Sequence, residues 1–198
     1  MTRQLIPKRF STKMVWSEKT DTVTAVNTPS FILYAINGMN DPNKTSGSTH
    51  QTMGYDQMAV LYNNYVVTGV KVIFEGAPTA AGAHSISIQC GTQGSSFATD
   101  PSAINEYRQG YSLITSNQRP WRMSKYFSIA SVLGVKPGTI VDNADYWGIT
   151  SSASNPTFGA ELYWQIYNLD ASEQINTQWT VTFVYYVTFF NPVPIAQS

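Results

Sequence analysis

An alternating segment near the carboxyl end constrains the fold more than any other feature of the sequence. Over residues 179–189, WTVTFVYYVTF, every second residue is large and apolar. These residues are Trp179, Val181, Phe183, Tyr185, Val187 and Phe189. Because successive residues of a strand point to opposite faces of a sheet, the pattern predicts a long strand with one buried face. A second layer of structure must cover that face.

Shorter patterns of the same kind recur along the chain. Further strands are predicted at 13–26, 31–36, 65–75, 85–90, 122–129 and 160–167. In the 65–75 strand, we expect the core side to carry Val66, Val70, Val72 and Phe74. One or two short helices are predicted, one capped by Asp56 and one beginning at Asp100-Pro101-Ser102. Seven or eight strands with long loops predict an all-β domain, which is a sandwich, a jelly roll or an open barrel.

The sequence carries little charge for its length. Only 12% of its 198 residues are charged, about half of the roughly 25% that soluble domains average. Much of the surface must therefore be neutral, or must be covered by partners, which favours large contacts between subunits. The 13% aromatic content fits either a packed core or such contact surfaces. The length suits a single all-β domain.

Basic residues are concentrated toward the amino end. All 12 Lys and Arg residues lie within residues 1–136, although the formal net charge is zero. The first twenty positions contain Arg3, Lys8, Arg9, Lys13 and Lys19 against the single acid Glu18. This asymmetry indicates contact with nucleic acid, and a solvated, frayed terminus explains it at least as well.

Residues suited to catalysis are few. The two histidines, His50 and His84, lie in turn-like sequence, and no nucleophile elbow, phosphate-binding loop, dinucleotide fingerprint or zinc-protease motif occurs. Cys90 is the one cysteine, which excludes an internal disulfide and a cysteine-cluster metal site. We therefore expect no enzymatic activity, no cofactor and no metal. We also expect no membrane insertion and no secretion, since a long apolar run and the apolar core of a signal peptide are both missing.

One central block carries a resemblance to a known group of proteins. The block comprises Gly54-Tyr55-Asp56-Gln57, Leu61-Tyr62, Tyr65, Val67 and Gly69-Val70-Lys71-Val72. Asp41-Pro42 upstream and the closing strand Val181–Pro192, which ends in Phe-Phe-Asn-Pro, extend it. These segments resemble capsid proteins of circular, Rep-encoding single-stranded DNA (CRESS-DNA) viruses, the circovirus-like group.

The resemblance implies a single eight-stranded antiparallel jelly roll over residues 13–192. It also implies a basic, flexible, inward-facing segment at 1–12 and a tail at 193–198. Copies of the chain would assemble into a T=1 icosahedral shell of about sixty subunits around circular single-stranded DNA. The protein would then be found in the virion, after assembly in the host nucleus or cytoplasm.

The resemblance also suggests which residues meet the genome. Arg3, Lys8, Arg9 and Lys13 would bind phosphate, with Arg122 and Lys125 of the folded domain as second-rank candidates. Arg122 and Lys125 fall on opposite faces of an ideal strand. The sequence departs from circovirus capsids in one respect, because its amino end does not carry their long Arg-rich arm. This departure weakens the expectation of genome packaging more than that of shell formation.

Two other functions remain open at this point. A β-sandwich module that binds carbohydrate or protein would use the same aromatic loops. A glycosidase would need a pair of carboxylates on one cleft, for which Asp142 with Asp145 and Asp170 with Glu173 are the candidates. Turn structure explains these acids better, because Asp in turns usually bonds to the backbone.

Overall fold

The computed structural model describes residues 6–25, 28–45, 50–79, 82–107, 109–116, 118–169 and 174–194. Its strands are β1 (Arg9–Thr24), β2 (Pro29–Ala35), β3 (Tyr62–Pro78), β4 (Ala83–Thr92), β5 (Tyr111–Ser116), β6 (Trp121–Ser128), β7 (Gly148–Ile149), β8 (Ala160–Asn168) and β9 (Ile175–Pro192). Its helices are α1 (Tyr55–Ala59), α2 (Pro101–Ile104), α3 (Ile129–Leu133), α4 (Pro137–Asp142) and a 3₁₀ turn at Ala144–Tyr146.

The strands form two antiparallel sheets that pack face to face. The first sheet has the order β1-β9-β3-β6, with the two-residue β7 also paired to β3. The second has the order β2-β8-β4-β5. The chain crosses between the sheets so that its first and last long strands, β1 and β9, become neighbours over 16 residue pairs. This connectivity confirms the predicted eight-stranded jelly roll, to which β7 is an addition.

The core lies between the sheets and is strongly aromatic. Every second residue of β9 from Trp179 to Phe189 is buried, as the alternation predicts. The rings of Trp164 on β8 and Trp179 on β9 lie 4.0 Å apart between centroids, so the two sheets are in direct contact there. Trp16 contacts both Tyr34 and Phe183. The aromatic residues therefore build the core, and contact with partners is not needed to explain most of them.

A β-bulge in β3 overturns part of the predicted core. The register with β9 shifts between Val67 and Gly69, so Thr68 is an extra residue. A bulge reverses the phase of the alternation, and Val67 joins Val70 and the following residues in the core. The prediction that Val66 faces the core is wrong. Val66 is buried on the opposite face of the sheet, beside Phe190.

The helices differ from the prediction in number and in one start. The described residues form four short α-helices, where one or two were predicted. Helix α1 begins at Tyr55 after Gly54, which adopts a left-handed conformation with φ 83°. The predicted cap at Asp56 is wrong, because Asp56 lies inside the first turn. The start of α2 is confirmed, since the Asp100 carboxylate accepts a hydrogen bond from the Ser102 backbone N–H at 2.8 Å.

The jelly roll begins earlier than predicted. Strand β1 starts at Arg9, whereas the sequence predicts that the folded domain begins at residue 13. Residues 9–12 pair with Val187–Phe190 of β9. Their place in β1 follows from this pairing, because β9 extends as far as Pro192 and offers them hydrogen-bond partners.

The two sheets differ in what covers their outer faces. Segment 93–107 folds over the outer face of the second sheet and is held there by hydrogen bonds and an aromatic contact. Gln89 of β4 exchanges two hydrogen bonds with the Ala98 backbone, at 2.7 and 2.9 Å. Phe97 stacks on Tyr163 of β8 at 5.0 Å. The polar residues of this face are buried for that reason, whereas much of the outer face of the first sheet is open.

Candidate nucleic-acid interface

The outer face of the first sheet carries most of the charge found on the sheets, and we call it the outer sheet face. Its charged side chains are Arg9, Lys13 and Lys19 on β1, Lys71 on β3 and Arg122 on β6, with the acids Asp21 and Glu75. Five bases against two acids give these residues a net charge of +3. The residues of β1 share one face because odd-numbered residues of a strand point to the same side. Strands β3 and β6 belong to the same sheet, in the order β1-β9-β3-β6, and add Lys71 and Arg122 to this face.

A cluster of one lysine and two tyrosines lies on this face. Lys13 is the cross-strand partner of Tyr186, and its ammonium nitrogen lies 5.1 Å from the centroid of the Tyr186 ring. Tyr126 of β6 packs edge-to-face against Tyr186 at 5.5 Å. Gly69 makes room for this pair, because a Cβ at that position would lie 2.1 Å from the Tyr126 hydroxyl. The cluster offers aromatic surface next to a cation, the pairing that single-stranded nucleic acid binds.

Hydroxyl groups line the β1–β9 seam of the same face. Ser11 bonds to Thr188 at 2.8 Å, and Ser17 bonds to Thr182 at 3.1 Å, each across the two strands. Ser and Thr hydroxyls are among the groups that donate hydrogen bonds to phosphate oxygens. The seam is therefore compatible with a phosphate backbone that runs along β1.

Arg122 and Lys125 are separated, as strand geometry predicts. Arg122 lies on the outer sheet face and pairs with Glu75 at 3.1 Å. Both groups of this pair are exposed, so it contributes little and leaves Arg122 accessible. Lys125 points to the other side of β6, where its ammonium donates to the Gly110 carbonyl at 3.2 Å and lies 5.4 Å from the Phe127 ring. Lys125 is therefore not part of the outer sheet face.

The remaining predicted residues fall at the amino end. Arg3 lies outside the described residues. Lys8 precedes β1 and is exposed, while Arg9 and Lys13 lie on β1 with the same orientation. Lys71 was not predicted to belong to this site. The alternation of its strand does predict that Lys71 faces away from the core. Sequence reasoning also missed Tyr126 and Tyr186, whose proximity depends on the order of the strands.

A cavity of about 290 Å³ opens at the Arg9 end of the outer sheet face, and we call it the end pocket. Val66 and Phe190 form its buried base. Trp147 stands over Phe190, edge-to-face, with ring centroids 4.8 Å apart. Lys8 and Arg9 line the exposed side. The connection from α4 to β7 supplies Trp147, because β7 pairs with β3 at this end of the sheet.

The acidic residues and histidines of the described segments do not form a metal site. In the part of the chain that the structure describes, no three His, Cys, Asp or Glu side chains converge as a metal site requires. Asp142 and Asp145 are exposed, and the other acid pair lies outside the described residues. None of the helices that the described residues form is long and apolar enough to cross a membrane.

Comparison with protein-family models and with curated proteins finds no match for this sequence. Among solved structures, a chain of tobacco necrosis virus is similar over 93% of this chain and 98% of its own length, with a TM-score of 0.50 and 8% identity. A chain of turnip yellow mosaic virus has a TM-score of 0.47 and 10% identity, with 96% and 99% covered. Decameric BFDV capsid protein has a TM-score of 0.48 and 8% identity, with 91% and 98% covered. The likeness to the tobacco necrosis virus chain supports the jelly-roll fold.

Proposed function

We propose that this chain is the subunit of a viral capsid, which assembles with copies of itself into a closed icosahedral shell around nucleic acid. The observation that carries the proposal is a jelly roll in which a loop covers the middle strands of one sheet, while the outer face of the other sheet is open and basic. Such an asymmetry suits a shell subunit, because a positive surface attracts the phosphates of a genome and leaves the other surfaces for contacts with neighbouring subunits. The shared fold with a chain of tobacco necrosis virus supports the same role.

Exposed apolar residues support self-association. Met53 and Val60 flank α1 and are 82% and 73% exposed, and Leu61 beside them is also exposed. A contiguous group of large apolar side chains in solvent is typical of a surface that contacts another protein. The low charge of the chain agrees with this, since charged residues are depleted at the centres of interfaces.

The outer sheet face and the amino-terminal segment would face the lumen in this proposal. Lys8, Arg9, Lys13 and Arg3 would then neutralise phosphate together with Lys19, Lys71 and Arg122. A genome of circular single-stranded DNA and a T=1 shell of about sixty subunits are the finer parts of the proposal. They are supported by the resemblance of the 54–72 block to circovirus-like capsids.

The proposal is tested by light scattering and negative-stain microscopy of the purified chain at neutral pH, over a range of salt and protein concentrations. We expect closed, uniform spheres whose 260/280 nm absorbance ratio exceeds that of the protein alone. Extraction followed by digestion with DNase, RNase and a single-strand-specific nuclease identifies the nucleic acid, and we expect single-stranded DNA when it is supplied during assembly. Monomers or trimers alone under all these conditions would contradict the proposal and would favour a β-sandwich binding module.

A further inference from the structure

We propose that the end pocket binds one unstacked base of a single-stranded nucleic acid, while Lys8 and Arg9 hold the adjoining phosphates. The inference rests on the proposed function, because it names the site at which the subunit binds the packaged strand. It rests on the cavity, the aromatic rings and the cations that line it.

The pocket has the size and walls that a base requires. Its volume of about 290 Å³ is just below the roughly 300–1,000 Å³ typical of sites for drug-sized molecules, and a single base is smaller than such molecules. Trp147 and Phe190 present aromatic surface, and Val66 adds an apolar floor. The indole N–H of Trp147 donates to the Val141 carbonyl at 3.1 Å, which fixes the orientation of the ring. A stacking surface held in place loses less entropy when a base binds.

The charges around the pocket suit an anion. Lys8 and Arg9 lie at its exposed side, and none of the described residues that line it is acidic. Arg9 is the cross-strand partner of Phe190, so a base against Phe190 brings its phosphate near the Arg9 guanidinium. Arg also binds phosphate oxygens in pairs, which favours a defined position of the backbone.

The end pocket continues into the lysine–tyrosine cluster. Thr188 lines the end pocket and also the neighbouring cleft, which is lined by Ser11, Lys13 and Tyr186. Arg9 and Lys13 are four residues apart on one face of β1, about 13 Å by the rise of a strand. One strand of nucleic acid can therefore place a base in the pocket and run its phosphates along β1 toward Lys13.

The geometry predicts a preference for single strands. The bases of a duplex are stacked on each other and paired, so none is available to enter the pocket without the cost of unstacking. Contacts to the π face of a base do not depend on its identity. We therefore expect weak sequence preference and a clear preference for single-stranded over double-stranded DNA.

The test uses the full chain at concentrations below those at which light scattering detects assembly. The probes are a short oligo(dT) and an abasic deoxyribose-phosphate strand of the same length and charge. Binding is followed by tryptophan fluorescence, because Trp147 is partly exposed while Trp16, Trp121, Trp164 and Trp179 are buried. Fluorescence anisotropy of a labelled strand gives the affinity independently.

We expect oligo(dT) to quench the fluorescence and to bind roughly 5- to 150-fold more tightly than the abasic strand, the range for one base–aromatic stack. Trp147→Leu should remove both the quenching and the difference between the probes. Phe31→Leu, which removes an exposed aromatic residue of the second sheet, is the matched control and should keep both. Thermal unfolding of each variant checks that it folds.

Equal affinity for the two probes, or unchanged discrimination in Trp147→Leu, would overturn the pocket assignment. Shell formation is measured separately on the same preparations. If shells form and package nucleic acid but the chain does not discriminate between the two probes, the proposed function is supported and only the assignment of the pocket as a base-binding site is rejected. If the chain discriminates between the probes but never forms shells, the capsid proposal is rejected and the assignment of the pocket as a base-binding site is supported.

Discussion

Lys13 lies with its ammonium nitrogen 5.1 Å from the centroid of the Tyr186 ring, on the open face of the first sheet. The two residues are opposite each other on β1 and β9. The contact keeps the cation at the surface and next to an aromatic ring, where a cation–π interaction contributes about 0.5–1 kcal/mol at exposed sites. Both groups remain accessible to a ligand.

Removal of the central charges should weaken nucleic-acid binding. The double variant Lys13→Gln and Lys71→Gln takes two bases from the outer sheet face. If both contact phosphate, the slope of log affinity against log salt should become shallower by about 0.7 for each contact with single strands. Anisotropy titrations at several salt concentrations measure this slope. The control is Lys136→Gln, which removes an exposed base outside this face and should leave the slope unchanged.

Release of Arg122 from its partner should have the opposite effect. Glu75→Gln removes the carboxylate that pairs with Arg122 and raises the net charge of the outer sheet face by one. We expect tighter binding of single-stranded DNA at low salt, and a change of less than about 1 kcal/mol in unfolding free energy, because the pair is exposed. Glu106→Gln, at an exposed acid elsewhere, serves as the control. Weaker or unchanged binding in Glu75→Gln would exclude Arg122 from the interface.

A largely buried ion pair holds the covered sheet. Lys44 donates to the carboxylate of Glu161, which is 3% exposed and also accepts from the Gly94 backbone N–H at 3.2 Å. Lys44→Met leaves this carboxylate buried without its cation. We expect a loss of about 2–3 kcal/mol of unfolding free energy, below the full range for buried pairs because the Lys44 side chain is 34% exposed.

The double variant Lys44→Met and Glu161→Met is the companion measurement. It removes both charges, so urea unfolding of the subunits should show most of the lost stability restored. A double variant that is as unstable as Lys44→Met alone would show that the carboxylate is not the source of the loss.

His84 should make the fold sensitive to acid. It is fully buried on β4, and neither ring nitrogen has a hydrogen-bond partner among the described residues. Burial lowers the pKa of His84 from 6.5 to about 4. Above pH 6.5 both the folded and unfolded states are neutral at this site. Between pH 6.5 and about 4 the unfolded chain binds a proton that the folded chain does not, so stability falls as the pH falls.

The size of this effect follows from the shift. At pH 5 the His84 contribution should amount to about 2 kcal/mol of lost stability relative to pH 7.5. His84→Leu cannot bind the proton and should lose less stability over the same interval. Urea unfolding of both proteins at the two pH values measures the difference. An identical pH dependence in the two proteins would show that His84 does not titrate in this way.

The fold was predictable where the alternation is long and strict. The apolar odd-numbered residues of β9 predict a long strand with one buried face. The resemblance to circovirus-like capsid proteins then selects the jelly roll among the all-β folds. Strand β5 was missed because Tyr111–Ser116 carries weak alternation and is half exposed. The bulge at Thr68 was missed because Val66, Val67 and Val70 are all apolar, so the sequence fits the alternation before and after the shift.

The candidate site was predictable only in its β1 part. Arg9 and Lys13 are predictable as basic candidates, but the place of Arg9 on β1 is not, because residues 1–12 were expected to form a flexible segment. Lys71, Tyr126 and Tyr186 lie far from them in sequence, and they meet because β9 lies between β1 and β3. Strand order depends on the packing of the whole domain, and periodicity within one strand carries no information about it. For the same reason, Trp147 gave no sequence signal of the end pocket.

Cryo-electron microscopy of the particles that the purified chain forms tests whether this chain is a capsid subunit whose basic sheet faces inward. We expect closed icosahedral shells in which the sheet β1-β9-β3-β6 faces the lumen, with density for nucleic acid against Lys13, Tyr186 and the end pocket. Shells in which this sheet faces outward, or a chain that stays monomeric at every salt and protein concentration, would contradict it.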